Sequence, residues 1–333
     1  MSEGRKFLSR LKSRVSFTQI MNSDDSSKVT IISYLVAIGF IVTMIAASVI
    51  WEENEIILPE IAAMAIAMWV YREPGWIRQP SNIFLAPTIT AAIGFMINQL
   101  PIAYIGKVIL CLAIVMLFLR IIQSNLSPSI ATGLLPLVIN ANEWTFIIWI
   151  FIFTFFLMLG VFAFGLNKGL EKKVKINYKY MLVFLVLTFV WMGLCWGSGY
   201  QQLAVIPPVL VVAYESLQKP MYSGWMAIKQ GFVLTLSATV GALMYFNMDS
   251  SILATLLDMI LMLVLSLIVG IRIPAIYAFP LLPFIFPDDI VMKLPLGSLV
   301  TCLFMFGSVL LYKKYESKRA NNGYDAKKFT PTA

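Results

Sequence analysis

The sequence predicts an all-α polytopic membrane protein built from two parallel six-segment repeats, about twelve transmembrane segments with some short or broken. Three observations predict it. Apolar residues make up 59% of the 333-residue chain and charged residues 13%, roughly half the charged share of a soluble domain. Landmarks recur at one spacing: Trp76 at Trp225, 149 residues on, Gly94 at Gly241, 147 on, Pro128 at Pro274, 146 on, and Pro136 at Pro283, 147 on. Lys and Arg cluster at both ends and in the middle, where six crossings per half return the chain to one side of a membrane.

Residues 1–28 form a basic amino-terminal segment with six of the 25 Lys and Arg. Within it Phe7, Leu8, Leu11 and Val15 alternate with Arg5, Lys6, Arg10, Lys12 and Arg14. That spacing suits a basic amphipathic helix on anionic lipid, and equally a disordered basic tail. The segment is too polar, and the apolar run after it too long, for a cleaved signal.

The first repeat spans 29–165, with segments at Val29–Trp51, Ile56–Tyr71, Asn82–Asn98, Pro101–Ile122, Ser127–Ile139 and Trp144–Gly165. A basic linker, 166–180, holds Lys168, Lys172, Lys173, Lys175 and Lys179. The second repeat spans 181–312, with segments at Met181–Gly199, Leu203–Glu215, Trp225–Phe246, Ser251–Ile271, Pro274–Pro287 and Leu294–Tyr312. Leu134-Leu135-Pro136-Leu137-Val138-Ile139 reappears there as Leu281-Leu282-Pro283-Phe284-Ile285-Phe286. Residues 313–333 read as a disordered tail. A full span needs about 20 residues. The second and fifth segments of each half are shorter, so they are expected to be broken or partly unwound.

Charge parity orients the chain. Arg72, Arg78, Arg120, Lys219 and Arg272 fall on the side of the termini and linker, which is therefore cytoplasmic. Glu52, Glu53, Glu55, Glu143, Asp249, Asp288 and Asp289 fall on the other. An inverted repeat is the alternative; it requires five crossings per half and puts the basic linker outside. The expected location is the plasma or inner membrane, multi-pass, with both termini in the cytoplasm.

Ionisable and polar groups inside the spans mark a solute path, because burying them in lipid is costly unless they are paired or wetted. Asp258 lies two turns into its helix. Lys107 maps by the repeat spacing to Ala254, one turn from Asp258, and a Lys107–Asp258 pair across the pseudo-two-fold axis is one of two readings. The alternative has Lys107 snorkelling outward and Asp258 lining a crevice alone. Glu60, after Pro59, is a rim carboxylate or a second partner for Lys107. Glu215 is expected to pair with Lys219 at i,i+4. Ser127, Ser129 and Thr132 flank Pro128 at a helix start, where Ser127 suits an N-cap and free N–H groups suit a small anion. Asn82 opens the third span, ahead of Thr88 and Thr90, whose role is expected to be close packing.

Cys111, Cys195 and Cys302 all fall in apolar segments and read as buried free thiols. With no histidine the usual proton shuttle and metal ligand are missing. No nucleotide-binding loop, dinucleotide fingerprint or nucleophile elbow appears, so neither an enzyme nor a cofactor is expected.

The run Gln79-Pro80-Ser81-Asn82, then Gly94, then Leu126-Ser127-Pro128-Ser129-Ile130-Ala131-Thr132-Gly133-Leu134-Leu135-Pro136 resembles the HPP family of integral membrane proteins, over residues 55–165 with a fainter echo in 205–312. Some members of that family are linked to nitrite transport. Ser127-Pro128-Ser129 stands where its His-Pro-Pro would be. The six-span units with short helices also resemble the aromatic-acid and fusaric-acid exporter superfamily.

The expected function is a transporter or permease-like protein for a small solute, a small anion or organic acid. Its path would run through Asn82, Lys107, Ser127, Ser129, Thr132, Asp258 and Glu60, with Asp258 as the protonatable coupling group. The competing class is a non-transporting membrane scaffold or accessory subunit in envelope assembly. Expected partners are the lipid bilayer, a small-molecule or ion substrate, and a second copy or other membrane proteins; nucleic acid is not among them.

Overall fold

The computed structural model describes residues 24–171 and 176–328. The basic segment Arg5–Phe17 and the linker lysines Lys172, Lys173 and Lys175 lie outside the described residues. Among those described, every regular element is helical. In chain order they are α1 (Asp24–Trp51), α2 (Pro59–Ala65) continued by a π turn (Ile66–Val70), α3 (Pro74–Ile77), α4 (Pro80–Asn98), α5 (Tyr104–Ile121), α6 (Pro128–Val138), α7 (Thr145–Ala163), α8 (Tyr178–Gly197), α9 (Pro207–Gln218), α10 (Gly224–Asn247), α11 (Ser251–Val269), α12 (Asp288–Val291) and α13 (Leu294–Lys328). Short 3-10 stretches lie at Asn54–Ile56, Gln201–Ala204, Pro274–Tyr277 and Phe279–Phe284.

Among the described residues eight helices are long and apolar enough to cross a membrane: α1 from Val29, α4, α5, α7, α8, α10, α11 and the first part of α13. Their outward faces support that reading. On α7, Ile148, Phe151, Phe155, Phe162 and, on α8, Leu182, Val186, Val190 and Leu194 are all exposed at helical spacing. A soluble protein rarely leaves so much contiguous apolar surface bare, whereas lipid covers it at no cost.

The four other expected segments are short, for reasons visible in the chain. Each opens on proline, which costs nothing at a helix start. Pro136 sits inside α6, and Pro280 and Pro283 inside the 3-10 stretch. Missing proline N–H groups prevent a regular α ladder there. The chain keeps i→i+3 bonds instead, such as Ala278 N–H to Ala275 O at 3.1 Å and Leu281 N–H to Ala278 O at 3.1 Å. At the carboxy end α13 continues to Lys328 instead of losing order at residue 313. The run from Lys313 to Arg319 is rich in good helix formers, and extending an existing helix is far cheaper than starting one. Glu316 also takes Lys179 at 2.7 Å and the Tyr180 hydroxyl at 3.0 Å.

Loops gather at two ends. At one end Asn54, Asn140, Gln201, Tyr245 and Pro287 surround a common space. Glu53 and Glu55 bond Thr145 and the Asn142 amide beside it. At the other end Tyr71 meets Ser266 (3.2 Å) and Arg120 lies over the Tyr178 ring (4.7 Å). Acidic loops therefore gather at one end and basic loops at the other.

The packing is tightest where α4 crosses α6. A Cβ on Gly94 would lie 1.9 Å from the Gly133 carbonyl oxygen. Cys111 donates to that oxygen at 3.1 Å, and Thr90 and Thr132 share a hydrogen bond of 2.8 Å beside it. Close backbone approach with hydroxyl glue is how membrane helices associate when lipid removes the hydrophobic drive. Later in the chain α10 meets the 3-10 stretch the same way: a Cβ on Gly241 would lie 2.4 Å from Pro280 Cα, and Ser237 donates to Ile276 O at 2.6 Å. Thr90→Val is expected to cost about 0.5–1 kcal/mol, the worth of one such bond in a membrane protein. A double-mutant cycle with Thr132→Val in detergent unfolding measures it, and a coupling near zero would show that the bond contributes nothing.

Candidate functional site

Two spaces open where the short segments meet. The first is an inner crevice walled by α2, α6, α9 and the 3-10 stretch from Pro274. Pro59, Pro128, Pro207 and Pro274, the first residues of these four elements, all line it. Its polar groups are Glu60 and Glu215, and Trp76 adds an indole; the rest is apolar, including Ala63, Leu135, Val211, Val212, Ala278 and Leu282. The water-accessible part is about 20 Å³, room for about one water molecule.

Both α2 and α9 start from the acidic end. Glu60 is the second residue of α2 and Glu215 the ninth of α9. At 1.5 Å per residue the carboxyls sit about 10 Å apart in level, Glu60 toward the acidic end and Glu215 toward the basic end. Glu60 is only 5% exposed and its Oε1 has no hydrogen-bond partner. Glu215 is partly buried and accepts the Ser127 hydroxyl at 2.6 Å. Beside it the Tyr214 hydroxyl donates to Asn125 Oδ1 at 3.3 Å.

The second space is a vestibule of about 710 Å³ at the acidic end. Asn54, Asn98, Tyr104, Lys107, Asn140, Gln201 and Tyr245 line it with apolar residues from the ends of α6 and the 3-10 stretch. Lys107 Nζ donates to the Asn98 carbonyl at 2.5 Å, and the Asn98 amide donates to Ala141 O at 3.0 Å. On the rim, burial pushes the Glu55 carboxyl up, and its bond from the Asn142 amide opposes the shift. Leu135 and Leu282 line the crevice, and Leu137 and Phe284, two residues on along the same elements, line the vestibule.

The expected site residues do not form one cluster. Glu60 lines the crevice, and Ser127 reaches it through Glu215. Ser127 makes no capping bond, because its hydroxyl is committed to that carboxylate. Ser129 and Thr132 are fully buried on α6; Thr132 bonds Thr90, whereas the Ser129 hydroxyl has no partner. Asn82 stays near the basic end, bonded to Gln79 at 2.8 Å. Among the described residues no ion pair joins Lys107 to Asp258 or Glu60, or Glu215 to Lys219. Lys107 is the fourth residue of α5 and Asp258 the eighth of α11, so their depths differ by about 6 Å. Their helices also pack apart, α5 on α8 and α11 on α1. Asp258 is fully buried, its two oxygens and the Thr255 hydroxyl one turn away lack partners, and it lines neither space.

Glu215 is the functional candidate that the local pattern concealed. Lys219 four residues on suggested an ordinary surface pair, but α9 ends at Gln218 and the chain turns away. The one signal in the sequence is a proline: Pro59 recurs 148 residues later as Pro207, and both open helices that line the crevice. Among the described residues no group of three or more acidic, Cys or His side chains is placed to hold a metal. No family model, curated protein or solved structure matches this chain.

Proposed function

We propose that this protein is a transporter or permease-like protein for a small solute, made of two parallel six-segment halves with the path at their junction. The observation that carries the reading is the crevice itself. Four proline-led short segments, two from each half, converge on two carboxylates in the middle of an apolar bundle. Irregular backbone at membrane depth belongs where it lines a path, and membrane transporters place their sites at such junctions.

The pairing of elements supports the two-half reading. Helix α6 packs on α9 and the Pro274 stretch packs on α2, while α5 packs on α8 and α11 on α1. Gly94 meets residue 133 and Gly241 meets residue 280, the same contact displaced by 147 positions. Corresponding elements run in the same sense: α2 and α9 both start from the acidic end, and α6 and the Pro274 stretch both end on the vestibule. By the positive-inside rule the basic end is cytoplasmic and the vestibule opens outward.

The vestibule is where a small anion or organic acid meets the protein, with Lys107 as the cation and the Asn98 and Asn140 amides around it. The HPP-like stretch 55–165 contributes to both spaces, including Glu60, Lys107 and Pro128. Flux of nitrite, formate and acetate into liposomes holding the purified full chain tests the reading. Uptake above protein-free liposomes is expected, and Lys107→Gln is expected to raise the half-saturating concentration about tenfold, the effect of losing roughly 1.4 kcal/mol of binding. No flux of any small solute, cationic ones included, would leave the scaffold alternative in its place.

A further inference from the structure

We propose that Glu60 and Glu215 are a proton-binding pair, two stations through which the crevice couples solute movement to protons. The proposal rests on the transport reading above, and it moves the coupling role from Asp258 to these two groups. Glu60 is buried, one of its oxygens lacks any partner, and no Lys or Arg lines the space beside it. An ionised carboxylate is costly in such a place, so the group holds a proton or takes up a cation. The space has room for about one water molecule. In this state that admits water or hydronium.

The surroundings keep the pair insulated. The elements packed on α2 (α1 from Val29, the π turn, α6, α7 and the Pro274–Phe284 stretch) bring no charged side chain to Glu60. Their titratable groups are Tyr34 and Tyr277, which face each other and Tyr71. Around Glu215 the charged groups are Lys219, beyond the end of α9, and Glu73 at the head of α3. On α8 and α13, Lys179 and Lys313 pair with Glu316, and Lys314, Lys318 and Arg319 are exposed.

The sequence of steps balances with water and hydronium alone. Hydronium on the vestibule side gives a proton to the Glu60 carboxylate, leaving water and the neutral acid. When more water enters the crevice, Glu60 releases that proton through water to the Glu215 carboxylate. Glu215 then gives it to water at the basic end, and both carboxylates are restored. The Ser127 hydroxyl stabilises Glu215 while it is ionised.

Infrared difference spectra of the full chain, titrated between about pH 5 and about pH 9, test this without knowing the solute. A carboxylic-acid carbonyl band should be present at the low end and vanish on raising the pH. Glu60→Gln should remove one component and Glu215→Gln a second, whereas Asp258→Asn should leave both and remove only the band of Asp258 itself. Glu60→Asp, which keeps a carboxyl, should retain a displaced band and shows that lost signal is not lost folding. Loss of no component in either Gln variant, or loss of every component in Asp258→Asn, would overturn the assignment. So would displacement of the band by sodium at constant pH, the sign of a metal-cation site. Liposome flux recorded in parallel separates the two readings. If the bands behave as expected but nothing crosses, the proton site stands and transport falls. If flux persists at full pH dependence in both Gln variants, transport stands and the coupling role falls.

Discussion

Replacing Gly94 by alanine is expected to remove about 3 kcal/mol or more of stability, at or beyond the upper end for overpacked cores. The added methyl would sit 1.9 Å from the Gly133 carbonyl oxygen and 3.3 Å from Pro136 Cγ. Neither neighbour is the end of a flexible side chain. The backbones of α4 and α6 would have to separate, breaking the Thr90–Thr132 bond and the Cys111 bond to Gly133. Gly241→Ala should behave alike, because its methyl would meet Pro280 Cα at 2.4 Å. Gly193 is the control, since nothing lies within 4 Å of a Cβ there. Gly193→Ala, near the carboxy end of α8, should be neutral or gain up to about 1 kcal/mol from helix propensity. Thermal unfolding in detergent measures all three. A Gly94→Ala protein as stable as Gly193→Ala would mean that the crossing is not close-packed.

Glu60→Leu is expected to do the opposite to stability while abolishing flux. The substitution removes a buried carboxyl with an unpartnered oxygen and puts an apolar group of similar size among Pro59, Ala63 and Leu135. Deleting an unsatisfied polar group of this kind returns about 1–3 kcal/mol. The unfolding midpoint should therefore rise as solute uptake falls to the protein-free background. Residues that carry function are often retained at a cost in stability. A lower midpoint would show that Glu60 has a structural partner, and unimpaired uptake would remove it from the path. Asp258→Leu gives the useful comparison: it should raise stability for the same reason but leave flux in place, since Asp258 lines neither space.

Much of the fold was legible because lipid imposes coarse rules. Apolar runs of adequate length located all eight long helices, and prolines located the short segments between them. Ser127-Pro128 correctly marked a helix start, yet its purpose was misread: proximity in sequence suggested an N-cap, while the hydroxyl is taken by Glu215, 88 positions away. Lys107 and Asp258 looked like partners because repeat arithmetic set them one turn apart. Arithmetic along the chain carries no information on which way a helix faces, and these helices pack on opposite halves. Ser129 and Thr132 line neither space, and Thr132 is held in the seam with α4 by Thr90.

What the sequence determined by itself is the membrane character, the position of the long helices and the places where regular helix fails. Those follow from length, apolarity and proline, which are local quantities. Only the tertiary structure decided which polar groups share a space. It brought Glu60 and Glu215 into one crevice, left Asp258 outside it and opened the vestibule around Lys107. The physical reason is that in a chain this apolar most helix faces are equally ready to meet lipid or protein. The choice between them is made by close backbone contacts, Gly94 on Gly133 and Gly241 on Pro280, that form only when distant segments meet.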